Sequence, residues 1–339
     1  VKVLKLLVQA FLDTAAKDLD AAMVTQTRMV LNKISIVAGW VVVLAGCSSL
    51  PTSGPDSSTP PVVTPPQVVA PPEPARRAPR LGLALGGGAA RGFAHVGVIQ
   101  VLEQHGIRPD LVVGTSAGSL VAALYASGKS GAELERAALA MEEATLTDWT
   151  LPLNGRGMLR GEALARYVRQ AVDGKLIEQM VLPLGILATN LGNGQGTVFR
   201  RGDAAQAVRA SSAVPGVFTP VSIAGQDYVD GGLVAPVPVS QARAMGAEVV
   251  LAVDISSDPE GNDASGLLRV MLQTTAIMGQ SINRHELKGA DLVLRPALAG
   301  VGSADFSTRQ RSIAAGRAAM LAALPRLKAE MAKLRLVGG

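Results

Sequence analysis

An α/β fold with a mostly parallel central sheet is predicted for residues 80–339, on three observations. The apolar run Leu81-Gly82-Leu83-Ala84-Leu85 ends at a triple glycine and leads into a helical pattern. The same order of apolar run, turn and helix repeats over Asp110 to Ala126. The stretch also has a length that suits one α/β domain, and it contains no internal repeat. Short apolar strands alternating with amphipathic helices are the pattern of parallel strands joined by helical crossovers.

Taken in order, Leu81 to Leu85 has no polar face, as a strand covered on both sides requires. Gly92 to His105 is helical by spacing: Phe93, Val96, Ile99, Val101 and Leu102 give it an apolar face, and Gly106 stops it. Asp110 to Val113 reads as the next strand and Ala117 to Ala126 as the next helix. Helices are expected over Gly131–Glu143 and Gly161–Val172, strands over Leu184–Thr189 and Gly196–Phe199, and a helix over Ala204–Ser211. Pro220–Ile223 and Gln226–Val229 read as a hairpin with Ala224-Gly225 at its tip. Glu248–Ile255 is a late strand, and Leu267–Ile282 and Gln310–Leu334 are late helices, the last packing on the sheet.

Residues 1–46 read differently. Ile34 to Ala45 is an apolar run broken only by Ser35 and Gly39, behind Arg28 and Lys33, and it closes on Leu44-Ala45-Gly46-Cys47. A basic start, a short apolar centre and small residues before a cut describe a secretory signal; ~20 apolar residues would be needed to span a bilayer. The end of the run looks like a bacterial lipobox, which implies that Cys47 becomes a lipidated first residue. Cys47 is the only cysteine, so no disulfide is available. Ser48, where inner-membrane lipoproteins carry Asp, points to the outer membrane facing the periplasm. Asp13, Asp18 and Asp20 do not belong in a signal, so residues 1 to about 22 read as an upstream extension, with Met23 or Met29 the more natural start.

Residues 47–79 carry half of the 20 prolines, with Ser, Thr and Val, and read as an extended tether between the lipidated Cys47 and the domain. The net charge of +5 falls to +3 once the five Lys/Arg and three Asp/Glu ahead of Cys47 are removed. That is too mild for a nucleic-acid binder, and aromatics, at 3% of residues, offer no stacking platform. Nucleic acid is not an expected partner.

Three stretches carry chemistry. Val112-Val113-Gly114-Thr115-Ser116-Ala117-Gly118 sets a serine between an apolar strand and a helix, the context of a nucleophile elbow. Gly114 and Gly118 flank it because larger side chains there would collide with neighbouring backbone. Upstream, Gly86-Gly87-Gly88 allows successive N–H groups to converge on one oxygen. Arg91, on the first turn of the following helix, fixes that loop or adds positive potential. A nucleotide loop fits less well: Arg91 stands in place of the third glycine of G-x-G-x-x-G, and the Lys-Ser/Thr of a Walker A loop is absent.

The third stretch supplies the base. Of the three histidines, His95 lies inside a helix, His105 precedes a helix-ending glycine, and His285 sits in the charged helix end Ile282-Asn283-Arg284-His285-Glu286. Tyr228-Val229-Asp230-Gly231-Gly232 instead brings a strand to a turn at a carboxylate. Apolar Val229, Leu233 and Val234 would desolvate Asp230 and raise its basicity.

Together, Gly86 to Gly88 with Arg91 and Gly92, the Ser116 elbow and Asp230-Gly231-Gly232 resemble the patatin-like phospholipase family. The resemblance covers residues 80 to about 255. It implies a three-layer α/β/α fold and hydrolysis of lipid acyl esters by a Ser–Asp dyad, Ser116 and Asp230. It further implies an oxyanion hole at Gly86, Gly87 and Gly88 supported by Arg91, and no cofactor or metal. The segment Ala210 to Pro220 resembles the family's acyl-pocket wall. The implied partner is a phospholipid or other acyl-ester lipid, reached from a membrane through the lipid anchor. Two other readings stay open: a triad esterase or thioesterase using His285, and a non-catalytic envelope protein that keeps the fold for lipid binding.

Overall fold

The structure, a computed structural model, describes residues 77–142, 148, 156–260, 265–302 and 304–337. The signal segment, Cys47 and the expected tether up to residue 76 lie outside the described residues.

The described chain opens with strand β1 (Leu81–Leu85), a 3-10 turn (Ala89–Phe93) and helix α1 (Ala94–Gln104). Strand β2 (Leu111–Thr115) then feeds α2 (Ala117–Ala126), followed by α3 (Gly131–Ala140), β3 (Gly157–Leu159) and α4 (Glu162–Ala171). Strands β4 (Leu184–Asn190) and β5 (Gly196–Phe199), α5 (Ala204–Ser211), and β6 (Gly216–Phe218), β7 (Val221–Ile223) and β8 (Gln226–Asp230) form the middle. The rest is α6 (Val239–Ala244), β9 (Val249–Val253), α7 (Leu267–Glu286), β10 (Leu292–Leu294) and α8 (Arg309–Val337).

The main sheet runs β10-β9-β1-β2-β4-β8-β7, with β5 also on β4. The ladders from β10 through β4 are parallel, and the β4–β8, β4–β5 and β7–β8 ladders are antiparallel. The sheet is therefore mixed: a parallel centre with an antiparallel flank. Neighbouring residues of its strands enter opposite cores. Leu81, Leu83 and Leu85 join the core under α1 to α5 and α8, while Ala84 joins the one under α6. Val249, Leu251 and Val253 alternate in the same way with Val250 and Ala252. Helices on both faces give the three-layer α/β/α arrangement, and they explain why the central strands are apolar throughout.

Local chemistry fixes the ends of the elements. Ser130 and Glu133 form a reciprocal capping box at α3, and Asp203 accepts from the Ala205 and Gln206 N–H groups at α5. The hairpin turns at Ala224 (φ 49°) and Gly225 (φ 77°), two left-handed residues that suit the twist of β7 and β8. Helix α8 lies against α1 at a glycine contact: a Cβ on Gly97 would strike Ile313 O, and one on Gly316 would strike Ala94 O. Beyond the elements expected from the sequence, the fold contains β3, β6, β10 and α6, each six residues or shorter.

Candidate active site

Two loops leave the carboxyl ends of adjacent parallel strands, β1 and β2, where open α/β sheets place their ligands. From β2 the chain turns at Ser116, with φ 52° and ψ −124°, and enters α2 at once. That conformation costs a non-glycine residue of order 1–3 kcal/mol and must be imposed by its surroundings. The surroundings are tight: a Cβ on Gly114 would run into Gly118 O, and one on Gly118 into Leu85 O. Polar contacts complete the clamp. The Ser116 N–H donates to Ser211 Oγ (2.9 Å), which itself donates to Leu187 O (2.5 Å), and Ser119 Oγ donates to Ser116 O (2.6 Å).

Asp230 arrives from the antiparallel flank. Thr115 is level with Leu187 across the β2–β4 ladder, and the next residue of β4, Ala188, is level with Asp230. One strand thus spaces the elbow from the carboxylate. Asp230 is buried, and its Oδ1 accepts from the Gly232 N–H (2.7 Å). Burial pushes its pKa up to about 6, opposed by contact with the Ser116 side chain and by the Gly232 N–H. The carboxyl group is therefore far more basic than an ordinary aspartate and faces the serine.

The glycine loop behaves differently from the expectation that three N–H groups converge. Gly86 N–H donates to Val253 O (3.0 Å), extending the β1–β9 ladder, and Gly87 N–H donates to Pro236 O (2.9 Å). Those two residues anchor the loop. Among the described residues the Gly88 N–H has no backbone acceptor, and the N–H of Ala89, first residue of the 3-10 turn, has none within that turn. Ala89 takes a positive φ of 50° and lines the same cavity as Ser116. The groups free for an oxyanion are thus one residue further along than the glycine pattern indicates. The loop itself is close to the serine, since a Cβ on Gly87 would lie 3.1 Å from Ser116 Cβ.

Arg91 also departs from expectation. It is buried, turned toward Asp254 and the polar cavity beside Arg295, and it is not part of the Ser116 cavity. Burial lowers its pKa and the Asp254 charge opposes this. Its helical position sends the side chain behind the loop, away from the reacting face.

His95 is fully buried and donates Nε2–H to Gly86 O (2.8 Å), holding the loop from behind. Burial pushes its pKa down to about 4, so at neutral pH the ring is uncharged. His285 is exposed on α7 with Nδ1 toward Ser281 O (3.2 Å), and His105 Nδ1 meets Val101 O (2.9 Å). Among the described residues, no histidine lines the Ser116 cavity.

That cavity is apolar, of about 340 Å³, and runs from Ser116 between α2, α3 and α4 to β6. Leu120, Leu124, Met141, Val214, Val217 and Phe218 are among the residues that line it, with Tyr167. Phe93 and Phe306 meet edge-on in its wall with ring centres 5.6 Å apart.

Residues 83–243, which hold Gly86 to Gly88, Ser116 and Asp230, match the family model "Patatin-like phospholipase". Residues 83–243 belong to the patatin-like phospholipase family. An uncharacterized NTE family protein of Mycobacterium tuberculosis is 34% identical over 219 residues, covering 62% of this chain and 61% of the relative. Patatin-like phospholipase domain-containing protein 6 of Homo sapiens is 34% identical over 188 residues, covering 53% of this chain and 14% of that protein. This patatin-like chain therefore spans less than two thirds of either relative's length. The crystal structure of VipD from Legionella pneumophila aligns with 74% of this chain and 67% of its own, at 12% identity and a TM-score of 0.45.

Sequence reasoning missed Ser211, which braces the elbow, and the loop anchor His95. Only the fold brings Ser211 and Leu187 beneath Ser116. Ala89 gives no signal either, because alanine rarely adopts a positive φ.

Proposed function

We propose that the protein is a lipid acyl hydrolase with a Ser116–Asp230 dyad. The observation that carries this reading is a buried carboxylate of raised basicity facing a strained serine beside an apolar cavity. Ser116 Oγ attacks the ester carbonyl as its proton passes to Asp230, and the carbonyl oxygen becomes an oxyanion facing the N–H groups of Gly88 and Ala89. Collapse expels the alcohol or lysolipid, which takes the proton from Asp230. Water then attacks the acyl-Ser116 ester with Asp230 again receiving the proton, and the fatty acid leaves with Ser116 restored. Each N–H donor of this kind is worth ~2.7–4 kcal/mol of barrier.

The acyl chain would occupy the cavity, whose lining is apolar apart from Ser116, Tyr167 and Ser212. The likeness to the NTE family and to the human patatin-like protein supports a lipid ester as substrate. The lipobox at Cys47 and the proline-rich tether support placement on the envelope, with the outer membrane facing the periplasm as the proposed site.

A fluorophosphonate probe tests the nucleophile. Labelling of the wild type that disappears in Ser116→Ala is expected; labelling that survives the substitution would sink the assignment. Asp230→Asn should label slowly and hydrolyse a short acyl ester at a small fraction of the wild-type rate, whereas His285→Ala should keep full activity. Full hydrolysis by Asp230→Asn overturns the dyad.

A further inference from the structure

Helix α7 is amphipathic in the wrong direction for a helix that serves only the fold. On a helical projection Leu267, Val270, Met271, Ile277 and Met278 fall within one arc of about 120°. That arc faces out: Leu267 is 79% exposed and Ile277 and Met278 are each 52% exposed. The opposite side makes the attachments. Gln273 Nε2 donates to Pro259 O, Asn283 Nδ2 to Ser256 Oγ, and Glu286 Oε1 accepts from both Ser240 N–H and Oγ. Polar anchors, of which Asn283 is buried, and exposed apolar side chains invert the usual arrangement. An exposed apolar stripe of this kind, which shares its arc with Thr274, Ser281 and His285, marks an interaction surface.

Position and charge say what covers it. Met271 and Leu268 lie beside Gly216 of β6, where a Cβ would come within 3.3 Å and 3.6 Å of them, and Val217 and Phe218 of the same strand wall the acyl cavity. The helix also packs on the turn Gly231–Leu233 that follows Asp230. Between Leu267 and His285 it carries Arg269 and Arg284 and no carboxylate. Arg284 borders the apolar stripe, Arg269 lies on the far side of the helix, and a stripe flanked by a cation with no carboxylate beside it suits acyl chains beneath anionic headgroups.

We propose that the outward stripe of α7 docks on a lipid bilayer and holds the mouth of the Ser116 cavity against it. The proposal rests on the lipid acyl hydrolase reading for its purpose, and its substrate would then enter laterally from the membrane.

The test uses the full chain with Cys47→Ser and Ser116→Ala, so that neither a competing thiol nor turnover intervenes. Single cysteines are placed at Ile277 and, as a control, at the exposed Lys328 of α8, and each is labelled with an environment-sensitive fluorophore. With phosphatidylglycerol–phosphatidylethanolamine vesicles, the label at 277 should brighten several-fold and be quenched by lipids carrying a spin label in the acyl chain, while the label at 328 stays unchanged. Equal responses at both positions, or none at 277, overturn the proposal. So does brightening at 277 that depends on protein concentration without vesicles, because a second copy of the chain would then cover the stripe. In the enzyme with Ser116 intact, Val270→Asp should lower vesicle-lipid hydrolysis by ~10-fold or more and leave hydrolysis of a monomeric short-chain ester within two-fold. Val270→Ser should act in the same direction with a smaller effect. Insertion at 277 in a chain that cleaves no ester would support the docking surface and defeat the hydrolase reading alone.

Discussion

Asp230 is asked to be both buried and ionised. An unfolded aspartate titrates at ~3.9, while in the fold this carboxyl titrates at about 6. Between those values the native state binds more protons than the unfolded one, so this group's contribution to stability falls as pH rises. Above pH 6 the ionised carboxylate costs the fold on the order of 3 kcal/mol, taking 1.36 kcal/mol per unit. Asp230→Asn should therefore unfold at higher urea than the wild type at pH 7, an advantage that vanishes near pH 4. Its kcat should drop by ~10²–10⁴-fold, the usual worth of a general base. Wild-type kcat/KM should decline below about pH 6 as the base is protonated. An inactive variant with no gain in stability would mean that the carboxylate is well solvated. His95 has the opposite sign: its pKa is depressed to about 4, so the stability it contributes is complete above its ordinary pKa and is lost as pH falls toward 4. His95→Phe leaves Gly86 O without its donor. A loss of ~1–3 kcal/mol in urea unfolding is expected, with reduced kcat from a displaced loop.

At the scale of elements, strand–turn–helix order was readable because each loop carries a glycine with a steric reason to be there. The Ser116 elbow is such a case, and so is the Asp230-Gly231-Gly232 turn, where a strand plainly ends. The glycine loop was legible in place and not in detail. Which N–H groups are free depends on Val253 and Pro236, more than 140 residues further along the chain. Strands β3, β6 and β10 are three residues each, too short to show a period of two. Helix α7 shows the reverse difficulty: its periodicity marks a helix but cannot say that the apolar stripe faces out. The cavity, assembled from α2, α3, α4 and β6, follows from no single segment. Leu124 lies in its wall on α2. Leu124→Trp should shorten the accommodated chain, so that long-chain esters lose kcat/KM relative to short ones. An unchanged chain-length profile would mean that the acyl group lies elsewhere.

At the scale of the molecule, the sheet is closed by strands distant in sequence. Strand β1 lies between β2, which follows directly, and β9, and Asp230 reaches Ser116 only after β8 has docked against β4 in the opposite direction. Non-local pairings of this sort form late, once the cost of closing long loops has been met. The site therefore has a timetable. A growing chain carries its serine early, on a fragment that holds neither the carboxylate nor the Val253 and Pro236 carbonyls that anchor the glycine loop. Ribosome-stalled chains should fail to react with a fluorophosphonate when only residues up to about 225 have emerged, and should react once residues past 255 are free. Labelling of the shorter chain would show that the nucleophile needs neither. On the acyl hydrolase reading the mixed sheet would act as a delay: a chain still being made would hold no completed dyad, and reactivity would appear only when synthesis of the sheet is finished.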